Sequence, residues 1–309
     1  MLVWTGGSKH RLFRQQRVLV VGAGQTAQQM LSGQQRLGID HIRWRAVVRN
    51  DAQCKPWRAQ GVTPLWADLD RPATLQRLAG LADRVLHLAP PSTQRKDGEL
   101  TDPRTRDLMR ALLRRTPPSK VVYGSTTGVY GDCQGQEVTE QRLPRPFHAR
   151  AYRRVDAEQW VKAWALASDS AWTILRIPGI YGNQREEGGP AKRWLRGTPN
   201  FVPEEDVYIN HIHMTDLACA CWLALWGRAS RKVVNVVDDE NIKMGDWWDR
   251  VAELLNKSKL PRVRRDQTDA IPLGLLSFMS ESRRLSNTRL KEQLRYRLRY
   301  PTVTEGINA

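Results

Sequence analysis

The sequence lacks most of the features that would remove it from the ordinary globular class. It has no run of about 18 or more apolar residues, which excludes a membrane-spanning helix; the longest candidate, residues 217–226, is only long enough for a buried helix. Its four cysteines, Cys54, Cys133, Cys219 and Cys221, show no CxxC spacing. That excludes a disulfide scaffold and predicts free thiols in a reducing, cytoplasmic setting. Six histidines with no HxxxH or His/Cys pairing predict no metal site. Residues 1–16 are polar and basic without an apolar core, so no secretory signal is expected. No internal repeat is present.

What is present is globular in composition, 40% hydrophobic and 26% charged over 309 residues. That length implies one large domain or two modest ones. The charge is one-sided: 49 Lys+Arg against 32 Asp+Glu leave +17. Clustered Lys and Arg would release counterions from a phosphate backbone, so a nucleic-acid partner is the minor reading. The basic residues are scattered, however, from Arg11 to Arg299. Their densest stretch, residues 283–299, alternates with Leu285, Leu290, Leu294 and Leu298 as a solvated helix face would. Solubility is the plainer account.

Short β-branched runs alternate with helix-length segments through the first two thirds. Strands are expected at residues 18–21, 42–48, 62–66, 84–88, 120–123 and 172–176, with helices at 25–37, 102–115 and 153–167. This order predicts βαβ units and a doubly wound parallel Rossmann sheet, α/β in class. Several strands are apolar almost throughout, as where helices cover both faces. After Pro178 the rhythm changes. Residues 179–203 read as loop with short helix, 214–225 and 244–255 as helices, 233–237 as a buried strand, 262–272 as a polar connector and 285–294 as a last amphipathic helix. The division expected is a nucleotide domain over 1–177 that also receives about 207–240, and a smaller C-terminal substrate lobe from 178–206 and 241–309. Trp222, Trp226, Trp247 and Trp248 fall at helical spacing, as core or as the interface of a homodimer.

The stretch Val18-Leu19-Val20-Val21-Gly22-Ala23-Gly24-Gln25-Thr26-Ala27 reads as strand, glycine turn and helix start. In a G-x-G-x-x-G/A turn the first glycine makes the bend and the second lets a pyrophosphate approach the backbone. The small third residue, Ala27, packs helix on strand. Gln25 and Thr26 open the helix, whose free N–H groups favour phosphate. The second strand ends at Arg49 rather than at an acid. A planar guanidinium suits a ribose 2′-phosphate, so NADP is preferred, while Asp51 just beyond keeps NAD open.

With those residues in view the chain resembles the extended short-chain dehydrogenase/reductases, the NAD(P)-dependent epimerase/dehydratase superfamily. Residues 67–70 (Ala-Asp-Leu-Asp) look like its acidic turn, where the resemblance sets Asp68 and Leu69 at the adenine. Residues 87–90, with Leu88, Ala89 and Pro90, look like the segment lying along the cofactor. The stretch from Ser125 through Thr126 and Thr127 to Tyr130-Gly131 is similar to the fifth-strand signature. Pro178, Ile180 and Tyr181 look like the motif that passes the nicotinamide and opens the substrate pocket, where Arg284 is also placed. Residues 210–218 resemble the start of the substrate-lobe helix.

The family's working pair is a tyrosine four residues before a lysine. Here Tyr152 is followed at that distance by Asp156. Alignment on Ala157-Glu158-Gln159 instead puts Arg150 and Arg154 at the two positions. Tyr152, two residues away, is then turned by about 200° around the helix. Two functions fit. One is an NADP-dependent oxidoreductase or epimerase acting on a carbonyl or secondary alcohol of an unidentified small molecule. Its candidate catalytic residues are Thr126, Tyr152, Arg154 and Tyr130, with Tyr181 and His148 as other acids. The other is a non-catalytic nucleotide-binding sensor, assembly factor or RNA-associated scaffold.

Overall fold

Strand β1 (Gln16–Val21) is built to be covered on both sides. Its side chains alternate, so Val18 and Val20 enter one apolar cluster and Leu19 and Val21 another. Each such buried side chain contributes about 1.5–3 kcal/mol. Six further strands join it: β2 (Ile42–Val48), β3 (Thr63–Trp66), β4 (Arg84–His87), β5 (Lys120–Thr126), β6 (Ala171–Ile177) and β7 (Lys232–Asn235). The sheet is parallel throughout, in the order β7-β6-β5-β4-β1-β2-β3. The chain runs outward from β1 to β3 and then returns to the other side of β1 as β4. That reversal opens a crevice beyond the C-terminal ends of β1 and β4, where open α/β sheets bind ligands. This computed structural model describes residues 15–36, 41–92, 99–182, 194–227 and 229–307. The reading of residues 1–16 therefore lies almost wholly outside them, as does the middle of the 179–203 loop.

Helices α1 (Gln25–Arg36) and α4 (Met214–Trp226) cover one face of the sheet; α2 (Pro103–Leu112) and α3 (Ala149–Ser168) cover the other. The start of α2 is fixed by sequence: Asp102 accepts a hydrogen bond from Arg104 N, and Pro103 occupies the first turn, where no N–H is needed. At the end of α3, Asp169 adopts a left-handed conformation with φ 48°, which short polar residues tolerate. A third cluster gathers Tyr181, Phe201, Trp247, Trp248, Met279 and Val303, drawn from the chain after β6. It includes α5 (Met244–Leu254) and α6 (Leu273–Met279). Asp216 of α4 ties the C-terminal segment down by accepting bonds from Tyr296 Oη, Arg299 N and Tyr300 N.

Four local expectations change. Leu285 begins no helix: Arg284–Leu285 pairs in parallel with Glu137–Val138, and helix follows only at Thr288–Glu292. Asn287 makes the break by donating to the carbonyls of Val237 and Asp238 and to Asp239. The basic residues of this stretch are partly structural, since Arg283 pairs with Glu281, Arg289 with Glu140 and Lys291 with Asp239. The polar connector contains a strand, Arg262–Val263, paired with Asn200–Phe201. Short helices at Cys54–Ala59 and Leu273–Met279 had no periodic signal long enough to read.

Beneath the C-terminal edge of β5 and β6 lies a buried ion pair. Glu158 of α3 accepts from Arg176 Nε at 3.1 Å and Nη2 at 2.8 Å, and from Ser125 Oγ at 2.6 Å. Removing one partner leaves the other charged and desolvated. Glu158→Gln is expected to lower stability by about 3–5 kcal/mol in chemical denaturation, a loss that a surface ion pair would not show.

Candidate functional site

The turn after β1 is set by how closely two backbones meet. Val21 O accepts from Leu88 N at 2.7 Å and Ala89 N at 3.2 Å, drawing the chain after β4 against the turn. Gly22 has φ +89°, and a Cβ there would stand 2.2 Å from Ala89 N and 2.6 Å from the Leu88 carbonyl carbon. Only glycine fits. Gly24 is the opposite case: a Cβ there would meet nothing within 4 Å. The first glycine thus serves the contact, and the second faces open space at the start of α1. Ala27, fully buried, packs α1 on the sheet.

Three cavities follow one another along this edge. The first, about 320 Å³, is lined by Gly22, Gly24, Arg49, Asp68, Leu69, Leu88, Ala89 and Pro90. The second, about 150 Å³, lies at Gly22, Gly24, Gln25, Thr26 and Leu88. The third, about 230 Å³, is bounded by Thr26, Leu88, Ser125, Thr126, Arg154, Pro178 and Ile180. Shared walls make them one trough. A fourth cavity of about 590 Å³ continues from Thr126 and Pro178 toward the third cluster.

The polar groups of the trough differ in how far they are engaged. Arg49 donates its backbone N–H to Gln53 Oε1, but its guanidinium has no hydrogen-bond or ion-pair partner among the described residues. Asp68 is turned to its own loop, accepting from Asp70 N. Arg104, which the sequence reading missed, closes this end: it forks onto Asp70 and donates to Pro90 O at 3.1 Å. Its signal was faint, a single arginine just after the Asp-Pro start of α2. At the other end Arg154 donates to Tyr123 Oη at 3.0 Å and Gly124 O at 2.7 Å. Thr126 Oγ1 accepts from Gly128 N, leaving its O–H to donate.

Several sequence candidates are not brought to the trough. Tyr152 is 40% exposed on the outer side of α3, the consequence of standing two residues from Arg150 and Arg154. Tyr130 is fully buried, donates to Asn235 Oδ1 at 2.8 Å and lies beneath Arg176, and burial pushes its hydroxyl pKa up. Ser125 contributes to the wall, but its hydroxyl is committed to Glu158. Tyr181 sits in the third cluster with its hydroxyl donated to Thr302 O, its pKa raised by burial and nearby carboxylates. Arg284 donates to Gly135 O at 2.7 Å and stacks over Tyr208, while its neighbour Arg283 lines the fourth cavity. Asp156, at the distance from Tyr152 where a lysine would stand, accepts from Asp102 N at 2.7 Å and anchors the chain entering α2.

These features meet in a known framework. The sequence matches the NAD dependent epimerase/dehydratase family over residues 18–236. The chain belongs to that family. No curated protein matches the sequence. Among solved structures, a functionally unknown conserved protein from Silicibacter pomeroyi is 29% identical, with 95% of this chain and 97% of that one covered at a TM-score of 0.79. The UDP-glucose 4-epimerase of Thermotoga maritima, solved with UDP-glucose, is 17% identical, with 94% and 96% covered at 0.73. The UDP-glucuronic acid 4-epimerase of Bacillus cereus, solved with UDP-glucuronic acid and NAD, is 19% identical, with 95% and 97% covered at 0.73. The last two likenesses establish the shared fold. Within this epimerase/dehydratase chain, no described helix is long and apolar enough to cross a membrane, and no three described His, Cys, Asp or Glu side chains are grouped to hold a metal.

Beneath the trough, His87 is wholly buried. Its Nε2 pairs with Thr105 Oγ1 at 2.9 Å, and Thr105 donates to Asp102 Oδ2 at 2.6 Å. Burial, then the nearby Arg154 charge, pushes the His87 pKa down to about 3. Between about pH 6.5 and 3 the unfolded chain therefore binds the extra proton, so His87 makes stability fall as pH falls. Replacing it by glutamine should flatten that part of a stability-versus-pH curve. Gly22→Ala, which drives a methyl into backbone at positive φ, should cost roughly 2–6 kcal/mol in denaturation. Gly24→Ala should cost under about 1 kcal/mol, as expected away from any contact.

Proposed function

We propose that this chain binds NADP(H) in the trough, in preference to NAD(H), and holds a small-molecule ligand in the cavity beyond Thr126. The observation that carries the reading is the pairing of an open glycine turn with the unengaged Arg49 guanidinium at its rim. The N–H groups opening α1 suit a diphosphate. Arg49 suits a 2′-phosphate, because β2 ends without an acid and Asp51 falls in the following turn, Asp51–Gln53. The nucleotide, when bound, supplies hydride chemistry. The chain itself binds and orients.

The family's proton route is not reproduced here. Arginines take both helix positions, Tyr152 faces outward, and the hydroxyls of Tyr130 and Tyr181 are already donated. An arginine does not give up a proton at neutral pH. This favours a nucleotide-responsive binding protein, a sensor or assembly factor, over turnover by the family's route. One observation supports the second reading, an oxidoreductase or epimerase acting on a carbonyl or secondary alcohol. The Thr126 hydroxyl, with its proton free to donate, borders both the trough and the neighbouring cavity.

Thermal melting with each nucleotide tests the proposal. NADPH should stabilise the protein by about 2.7 kcal/mol at a hundredfold excess over Kd, and NADH by less at the same concentration. Arg49→Ala should weaken NADPH roughly ten- to hundredfold, as for one lost charged hydrogen-bonding contact, and leave NADH nearly unchanged. Gly24→Ala should weaken both while lowering unliganded stability by less than about 1 kcal/mol. Stabilisation by neither nucleotide would overturn the proposal.

A further inference from the structure

Arg150, on the inner face of α3, has no hydrogen-bonded partner among the described residues, although the Glu281 carboxylate acts on it through space. It is half-buried, and its guanidinium carbon lies 3.9 Å from the centroid of the Phe278 ring. Its neighbours are all engaged. Arg153 donates to Glu99 O, Arg154 to Tyr123 Oη and Gly124 O, and Arg283 to Glu281 and Gly131 O. Arg150 makes no hydrogen bond or ion pair among the described residues. Lying over the Phe278 ring uses none of the guanidinium's five N–H donors. A partly desolvated cation with idle donors is unfavourable to the free protein.

Its surroundings point to what would use those donors. Phe278, Glu281 and Arg283 line the cavity of about 590 Å³. Glu281, the carboxylate of that group, is hydrogen-bonded through Oε2 to Arg283 Nη1 at 2.7 Å, while His148 Nε2, 3.7 Å from its Oε1, bonds Ser277 O; its charge reaches Arg150 only through space. Arg196, exposed on the same lining, adds a second cation with no hydrogen bond or ion pair among the described residues. Residues four apart share a helix face, so Arg150 stands one turn from Arg154, which borders the end of the trough.

We propose that Arg150, lying over the Phe278 ring, grips an oxyanion of the ligand in this cavity, a carboxylate or a phosphate. The planar fork matches either group with two parallel hydrogen bonds. It rests on the preceding reading only in taking the cavity as the ligand site. It also explains what replaces a proton-donating tyrosine at this helix position: a permanent cation selects its ligand by negative charge rather than by a protonatable oxygen.

Calorimetric titration of glucuronate, glucose 1-phosphate and glucose into the full chain, with and without NADPH, tests this. At least one anion should bind about tenfold or more tighter than glucose, with affinity falling as salt rises. Arg150→Gln should remove that advantage while leaving glucose binding and the melting shift with NADPH as they were. Arg150→Lys, which keeps the charge but loses the fork, should fall between. A preference for glucuronate assigns the site to carboxylates, and a preference for glucose 1-phosphate assigns it to phosphates. Equal binding of all three sugars, or anion affinity unchanged in both variants, overturns the proposal. Loss of the nucleotide response with anion binding intact overturns the nucleotide reading alone.

Discussion

The contact between the turn at Gly22 and the backbone of Leu88–Ala89 is the constraint on which the rest of the site depends. The two amides bonded to Val21 O bring the exits of β1 and β4 together where the strand order reverses. With those exits joined, Leu88 becomes a wall shared by all three cavities of the trough. Any side chain at position 22 would separate the strands at their ends. The trough would then lose the floor that connects its parts.

Around that junction the polar residues divide into those that hold the structure and those that remain available. Beneath the sheet edge Ser125 and Arg176 hydrogen-bond Glu158, and Tyr130, under the Arg176 guanidinium, hydrogen-bonds Asn235. His87, Thr105, Asp102 and Asp156 form a second linked set on the α2 side. A parallel sheet covered on both faces leaves little water for such groups, so each must find a protein partner. Arg49, Arg150 and the Thr126 proton stand outside these sets. They fall at the rim of the first cavity, beside the fourth cavity and at the junction between trough and cavity. Ligand chemistry is best sought in the groups that the fold leaves unengaged.

The central sheet was legible because its strands are short apolar runs separated by helix-length segments. The glycine turn was legible because its three small residues each answer a backbone requirement. The failures share one cause. Leu285 looked helical because it precedes leucines that recur every four residues, Leu290, Leu294 and Leu298, yet it is buried through pairing with Glu137–Val138, far away in the chain. Tyr130 and Tyr181 looked like candidate acids because a hydroxyl in sequence carries no record of its partner. Those partners, Asn235 and Thr302, lie more than a hundred residues away. Arg283 and Arg284 are indistinguishable as letters, and different partners, Gly131 and Glu281 for one and Gly135 for the other, accompany the difference in which of them meets the cavity.

By itself, then, the sequence determined the parallel α/β sheet, the turn at Gly22 and the rotation that separates Tyr152 from the helix face carrying Arg150 and Arg154. Those properties follow from local periodicity and from steric limits on the backbone near each residue. Only the tertiary structure decided which hydroxyls and cations are left without partners. Hydrogen-bond satisfaction depends on segments brought together from opposite ends of the chain, and no local pattern encodes it.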